Sequence, residues 1–142
     1  MPSRFEGGCF CGAIRYECSS EPLFMINCHC RDCQKMSGSA YAAVLSMPKS
    51  GFALVKGKPQ VYTATVDSGG TVSRWFCPQC GAPVYHTLTA RPDLVGVKVG
   101  SLDDPSWYRP SMDIYTKSAQ PWDVMNSELK KFPGMPAGIR KD

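Results

Sequence analysis

The sequence has no long apolar run and no concentration of basic residues. None of its apolar stretches approaches the length needed to cross a bilayer, and its start, MPSRFEGG, lacks the apolar core of a signal peptide. We therefore expect a cytoplasmic protein that does not bind membranes. The formal net charge is only +4, and basic residues gather only in a thin cluster near the end, at Lys130, Lys131, Arg140 and Lys141. A nucleic-acid partner is therefore not expected.

Histidine is scarce, which excludes several kinds of zinc enzyme. The two histidines, His29 and His86, form no H-E-x-x-H motif, so the chain is not a protease of that class. Nucleobase deaminases carry H-x-E followed by P-C-x-x-C. Here Arg31 stands where that Glu would be, and Phe76 rather than proline precedes Cys77. Any metal chemistry must therefore depend mainly on other side chains.

The 142 residues include 12 prolines and 13 glycines, which favours many turns and short strands. The segments AIRYEC and DLVGVKV alternate apolar and polar residues, as half-buried strands do, and Gly69 and Gly70 separate two further strands of a hairpin. Helices are expected only at 31–36 and at 121–132, where Pro121 suits a first helical position. We predict a mainly β fold of short antiparallel strands, forming a single domain over residues 1–142.

Eight cysteines are the most informative feature of the chain, because in a reducing compartment they indicate metal ligands or catalytic thiols rather than disulfides. The motifs GGCFCG and FCPQCG each supply two of them. If the first motif is a strand, residues two apart present both sulfurs to one side. We predict a closed structural zinc site with four ligands: Cys9, Cys11, Cys77 and Cys80.

A second group is packed into NCHCRDCQKMSGS, where Cys28, Cys30 and Cys33 lie within six positions. Three thiolates leave one coordination place, as a catalytic zinc requires. His29 or His86 could close the site instead, and the thiols could also act without metal. Cys18, the eighth cysteine, lies on the apolar side of the AIRYEC strand and is predicted to be a core residue.

The motifs GGCFCGAIRY, CHCRDCQKMSGSAYA, FCPQCGAPVY and IYTKSAQPWD, with FPGMP, resemble in order and spacing the family of glutathione-dependent formaldehyde-activating enzymes and centromere protein V. The resemblance covers about residues 5–136. It implies a small zinc-stapled β fold like that of zinc-containing Rab-binding proteins, with one zinc held by the four-cysteine group and a second, sometimes partly occupied, by Cys28, Cys30 and Cys33. One departure is Asp113, where many relatives have His.

The resemblance also implies carbon-sulfur lyase chemistry, the reversible joining of glutathione and formaldehyde to S-hydroxymethylglutathione, with Cys28, Cys30 and Cys33 as the catalytic group and a small thiol as the partner. A thiol bound as the fourth zinc ligand would be held as a thiolate for attack on an aldehyde carbon. Arg31, Lys35, Ser37 and Ser39 could hold an anionic thiol, or could simply be exposed polar residues. The alternative is a zinc-stapled β scaffold that binds a protein partner without catalysis.

Overall fold

A computed structural model describes residues 2–67 and 69–137 of the chain. This part of the chain consists of eleven strands, one α-helix and three single 3-10 turns. In chain order the elements are β1 (Phe5–Gly8), β2 (Arg15–Cys18), β3 (Phe24–Cys28), α1 (Arg31–Ser37), β4 (Ala42–Pro48), β5 (Phe52–Lys56), β6 (Gln60–Thr65), β7 (Thr71–Phe76), β8 (Pro83–Leu88), β9 (Arg91–Lys98), β10 (Met112–Ile114) and β11 (Lys130–Lys131).

The strands form two sheets. The smaller has the order β1-β2-β5, and the larger has the order β11-β10-β3-β4-β9-β8-β7-β6. Most neighbouring strands are antiparallel, as expected, but β10 pairs in parallel with both β3 and β11. The expectation of antiparallel strands therefore fails at this edge, because a long connection returns the chain to β3 in the same direction. The mainly β fold itself is confirmed.

The core lies between the sheets and is built from the alternating segments of the sequence. Ile14, Tyr16 and Cys18 are each at most 2% exposed. From the larger sheet, Val95 and Val97 of β9 pack into the same cluster. Burial raises the pKa of the Cys18 thiol to about 12, so this cysteine is a neutral core residue, as its position in the strand pattern predicts.

The first predicted helix is confirmed and the second is wrong. Helix α1 begins after Cys30, whose sulfur accepts a hydrogen bond from the Cys33 backbone N–H, and ends at Gly38, which adopts a φ of 68°. Residues 121–129 form turns and irregular chain, and Lys130–Lys131 is a strand. Here the pairing of β11 with β10 overrides the weak helical preference of the sequence.

None of the helices in the described part of the chain has the length and apolarity needed to cross a bilayer. Of the basic residues near the chain's end, Lys130 and Lys131 form strand β11. Arg140 and Lys141 lie outside the described residues.

Candidate metal centres and active site

The four-cysteine group comes together as the sequence predicts. The sulfurs of Cys9, Cys11, Cys77 and Cys80 all lie within 4.8 Å of one another. The first two come from the turn after β1 and the last two from the turn between β7 and β8. The group thus links the smaller sheet to the larger one across more than sixty positions of sequence.

The spacing of these sulfurs fits a tetrahedral zinc ion. Zinc-sulfur bonds of about 2.3 Å place neighbouring sulfurs of a tetrahedron about 3.8 Å apart. The Sγ atoms of Cys9 and Cys11 are 3.7 Å apart, as are those of Cys11 and Cys77. The predicted reason was wrong, however, because β1 ends at Gly8 and the C-x-C motif lies in a turn rather than a strand. The turn, not strand alternation, brings the first two sulfurs together.

Backbone N–H groups point at the sulfurs of the four-cysteine group. The N–H of Ile14 donates to Cys9 Sγ at 3.2 Å, and those of Gln79 and Cys80 lie 3.4 and 3.5 Å from Cys77 Sγ. A hydrogen bond from the Ala82 backbone is the largest of several effects that lower the pKa of Cys80 to about 6. Such donors favour thiolates, the form in which cysteine binds metals.

The cysteine triplet, Cys28, Cys30 and Cys33, forms a second possible metal site. Its three sulfurs also lie within 4.8 Å of one another. Cys28 ends β3, Cys30 caps helix α1, and Cys33 lies in the first turn of that helix. Hydrogen bonds from Cys28 and Cys33 are the main cause that lowers the pKa of Cys30 to about 2. Hydrogen bonds to Cys30 and Cys33 raise the pKa of Cys28 well above its usual value. At Cys33 a hydrogen bond to Cys28 lowers the pKa, but the hydrogen bond to Cys30 and burial together raise it to about 11. The triplet therefore holds one negative charge readily, and it supplies three ligands rather than four.

The triplet lies beside a cavity of about 160 Å³ on one face of the larger sheet. Strand register explains which side chains form this face. Phe24, Ser46, Gly96, His86 and Arg74 stand side by side on successive strands β3, β4, β9, β8 and β7. The next such row contains Ile26, Val44 and Lys98. All of these residues line the cavity together with the three cysteines.

This face carries three basic residues: Arg74, His86 and Lys98. The sequence pattern indicated His86 only as a possible metal ligand and contained no signal for Arg74 or Lys98. Each of the three is half-buried, and each comes from a different strand. Arg74 and Lys98 form no salt bridge with a carboxylate among the described residues. Asp32 and Asp67 also line the cavity, but both are exposed. The half-buried wall of the cavity is therefore positively charged.

His86 and Lys98 form a hydrogen-bonded pair. The Nζ atom of Lys98 donates to Nδ1 of His86 at 3.1 Å. Burial, and then the positive charges of Lys98 and Arg74, lower the pKa of His86 well below its usual value, so its ring is neutral and can accept. Burial is the largest cause that lowers the pKa of Lys98 from its usual value. A side chain at Gly96 would overlap the His86 ring, so glycine there makes room for the pair.

His29 lies between two cysteines of the triplet but turns away from them. Its ring is fully buried, with Nδ1 2.6 Å from Asp123 Oδ2 and Nε2 2.7 Å from Asp113 Oδ1. Lys131 Nζ lies 2.8 Å from the other oxygen of Asp113. Both ring nitrogens of His29 are thus occupied, and neither histidine belongs to a cysteine group. Asp113 serves this buried network and does not line the cavity.

The polar residues near helix α1 contribute less than the sequence suggested. Arg31, Lys35, Ser37 and Ser39 are exposed, and none of them lines the cavity beside the triplet. Arg31 instead donates to the side chain of Gln34. Ser37 borders a neighbouring, wider cavity of about 770 Å³ that also touches Cys33. The charged wall is formed by strands β7 to β9 rather than by the helix.

Comparison with known proteins assigns the chain to a family. The family model described as glutathione-dependent formaldehyde-activating enzyme matches residues 4–118, which is most of the chain. The chain belongs to the glutathione-dependent formaldehyde-activating enzyme family. All seven cysteines of the two groups lie within the matched residues.

Curated relatives of the chain within this family are distant. Each is provisionally named a glutathione-dependent formaldehyde-activating enzyme: one from Sordaria macrospora is 30% identical over 54% of this chain, one from Halomonas elongata 29% over 69%, and one from Penicillium rubens 25% over 80%. The chain spans 32%, 65% and 63% of the lengths of these proteins, respectively. Its match to the family is therefore broad, but its match to the whole relatives is partial.

A solved structure supports the fold. The crystal structure of a Rhodobacter sphaeroides protein aligns with 89% of this chain and 98% of its own, with a TM-score of 0.58 and 22% identity. At this level of identity the likeness concerns the fold alone.

Proposed function

We propose that this protein is a zinc-dependent carbon-sulfur lyase that reversibly joins a small thiol, glutathione or a related one, to formaldehyde. The proposal is supported by one observation above all: Cys28, Cys30 and Cys33 bring three sulfurs together beside a cavity whose half-buried wall is basic. A closed metal site has four protein ligands and needs no cavity beside it for an exchangeable ligand. The family to which the chain belongs favours the same thiol and aldehyde.

Zinc held by the cysteine triplet would supply Lewis-acid chemistry and favour the thiolate form of a bound thiol. The residues of the chain have three other tasks. The triplet orients the thiol, the apolar side chains of Ile26, Val44 and Ile114 keep bulk water from the reacting carbon, and the basic wall attracts the anion. The four-cysteine group would hold a second zinc ion that stabilises the fold.

Charge balance favours an anionic substrate. Three thiolates and a divalent zinc ion sum to −1, and the half-buried side chains of Arg74 and Lys98 add +2. Arg91 also lines the cavity, but its charge is paired with that of Asp93. The sum of +1 is neutralised when one thiolate enters. Asp32 and Asp67 are exposed, so solvent screens their charges more strongly. A neutral ligand would leave the positive charge in a partly dehydrated cavity, which costs free energy.

The test is the exchange between formaldehyde and its glutathione adduct, followed by NMR. The natural protein should accelerate exchange above the spontaneous rate, and Cys33→Ser, which loses one triplet ligand, should not. Because the four-cysteine group is intact in this variant, we expect Cys33→Ser to remain folded, to melt near the natural protein, and to lose about one zinc ion per chain.

Cys18→Ala is the matched control, because it removes a cysteine that belongs to neither group. It should keep both metal ions and the exchange activity. Equal rates for the natural protein, Cys33→Ser and buffer would contradict the proposed reaction. The alternative would then be favoured, a zinc-stapled scaffold that binds a protein partner without catalysis.

A further inference from the structure

We propose that Lys98 holds the oxygen atom of the aldehyde as the carbon-sulfur bond forms, an inference that rests on the function proposed above. Lys98 is the last residue of β9, and its side chain lines the same cavity as the cysteine triplet. The proposal adds a catalytic residue outside the cysteines and outside the polar helix α1.

The position of Lys98 follows from strand register. Lys98 pairs with Val44 on β4, and Val44 pairs with Ile26 on β3. Side chains two apart on a strand share a face, so Cys28, two residues beyond Ile26, lies on the same face as Lys98. Lys98 and all three cysteines of the triplet line the same cavity, which places the lysine side chain near the triplet.

The surroundings of Lys98 leave it with donors to spare. An ammonium group has three N–H donors, and His86 Nδ1 accepts one of them at 3.1 Å. The neutral His86 ring fixes the side chain without cancelling its charge. No carboxylate among the described residues forms a salt bridge with Lys98. A half-buried cation with free donors and no anionic partner is suited to an oxygen that becomes negative during the reaction.

The chemistry balances without a further reactant. The thiol gives up its proton to solvent, and the sulfur electron pair forms the new bond to the aldehyde carbon. The second electron pair of the carbon-oxygen double bond moves onto oxygen, where the Lys98 ammonium donates a hydrogen bond. The oxygen then takes a proton, which restores the one lost by the thiol and yields the hydroxymethyl thioether. The reverse reaction passes through the same charged oxygen.

Arg74 is less suited to this task, although it lines the same cavity. It lies on β7 in register with His86, two strands farther from β3 and its Cys28 than Lys98 on β9. Its charge acts on Cys30 and on His86. A planar guanidinium at this position is better matched to a carboxylate far from the sulfur of the incoming thiol, such as those of glutathione, than to an oxygen close to the sulfur.

Two measurements test the proposal on Lys98→Met, which keeps the length of the side chain and loses the charge. The first is the exchange rate at saturating glutathione. Removal of one donor to a developing oxygen anion typically lowers the rate about 100- to 1000-fold, and we expect a loss of that order. Lys98→Arg should restore part of the rate. Lys56→Met, which removes an exposed lysine of β5 outside the cavity, should act like the natural protein.

The second measurement needs no turnover. In cobalt-substituted protein, binding of a thiol to the triplet metal changes the absorption spectrum. Thioglycolate carries an oxygen anion near its sulfur, whereas ethanethiol carries none. We expect the natural protein to bind thioglycolate more tightly than ethanethiol. In Lys98→Met the ratio of these two affinities should fall about tenfold, while the affinity for ethanethiol itself stays within twofold.

The outcomes separate the inference from the function on which it rests. If the natural protein accelerates exchange and Lys98→Met does so equally, with the preference for thioglycolate intact, the proposed function stands and the role of Lys98 is overturned. If the natural protein does not accelerate exchange, the proposed function fails and the role of Lys98 fails with it. Loss of ethanethiol binding in Lys98→Met would also overturn the proposal, since the lysine would then serve the metal site itself.

Discussion

Replacing His29 with leucine should strongly destabilise the protein, because it leaves a buried carboxylate without its partner. The two ring nitrogens of His29 lie 2.7 Å from Asp113 Oδ1 and 2.6 Å from Asp123 Oδ2. Lys131 Nζ lies 2.8 Å from the other oxygen of Asp113. Asp113 thus has two cationic or polar partners in this network, whereas Asp123 has His29.

The magnitude follows from what each carboxylate keeps. In His29→Leu, Asp113 retains Lys131, but Asp123, whose side chain is only 2% exposed, loses its partner. Removal of one partner from a buried charged pair costs about 3–5 kcal/mol. Leucine occupies a similar volume, so a cavity adds little. The decrease in unfolding free energy should therefore come mainly from the buried, unpaired charge of Asp123.

The double variant His29→Leu/Asp123→Asn isolates that cause. Asparagine is neutral, so the double variant should be more stable than His29→Leu alone, by about 1–2 kcal/mol, a sizeable part of the cost of a buried unpaired charge. Urea unfolding at neutral pH, with metal content matched by elemental analysis, measures both. A His29→Leu variant within 1 kcal/mol of the natural protein, or a double variant less stable than the single one, would refute the reasoning.

Three further predictions concern the cysteines and His86. Cys80→Ala should lose the metal of the four-cysteine group and several kcal/mol of unfolding free energy, since such binding is coupled to folding; a variant with unchanged metal content and melting temperature would contradict the assignment. Cys18→Ala should keep both metals and lose at most about 3 kcal/mol through a small cavity, so metal loss there would make Cys18 a ligand. The folded state holds His86 neutral, and the unfolded state takes up a proton as pH falls below about 6.5. Between pH 6.5 and 5.5 the natural protein should therefore lose about 1 kcal/mol of unfolding free energy relative to His86→Asn, and parallel pH profiles would contradict a neutral His86.

The cysteine groups could be predicted from the sequence because metal-ligand spacing is local. Cys77 and Cys80 are three positions apart in one turn, and Cys28, Cys30 and Cys33 lie within one strand end and one helical turn. The strands at 15–18 and 91–98 were predictable for a similar reason, since alternation reports which face is buried.

The basic wall of the cavity could not be predicted, because Arg74, His86 and Lys98 meet only through the register of three strands. A similar limit explains the helix wrongly expected at 121–132. Its pattern allows a helix, but Asp123 is bound by His29, 94 positions away, and Lys131 forms a parallel strand with β10. Such long-range contacts outweigh a weak local preference.

The measurement that tests the central claim most directly is cadmium-113 NMR of protein in which cadmium replaces zinc. An open site at the cysteine triplet and a closed site at the four-cysteine group predict two resonances per chain. Addition of glutathione should move one of them and leave the other in place, and Cys33→Ser should lose only the one that moves. A single resonance would contradict the account, as would two resonances whose chemical shifts both stay unchanged when thiols are added.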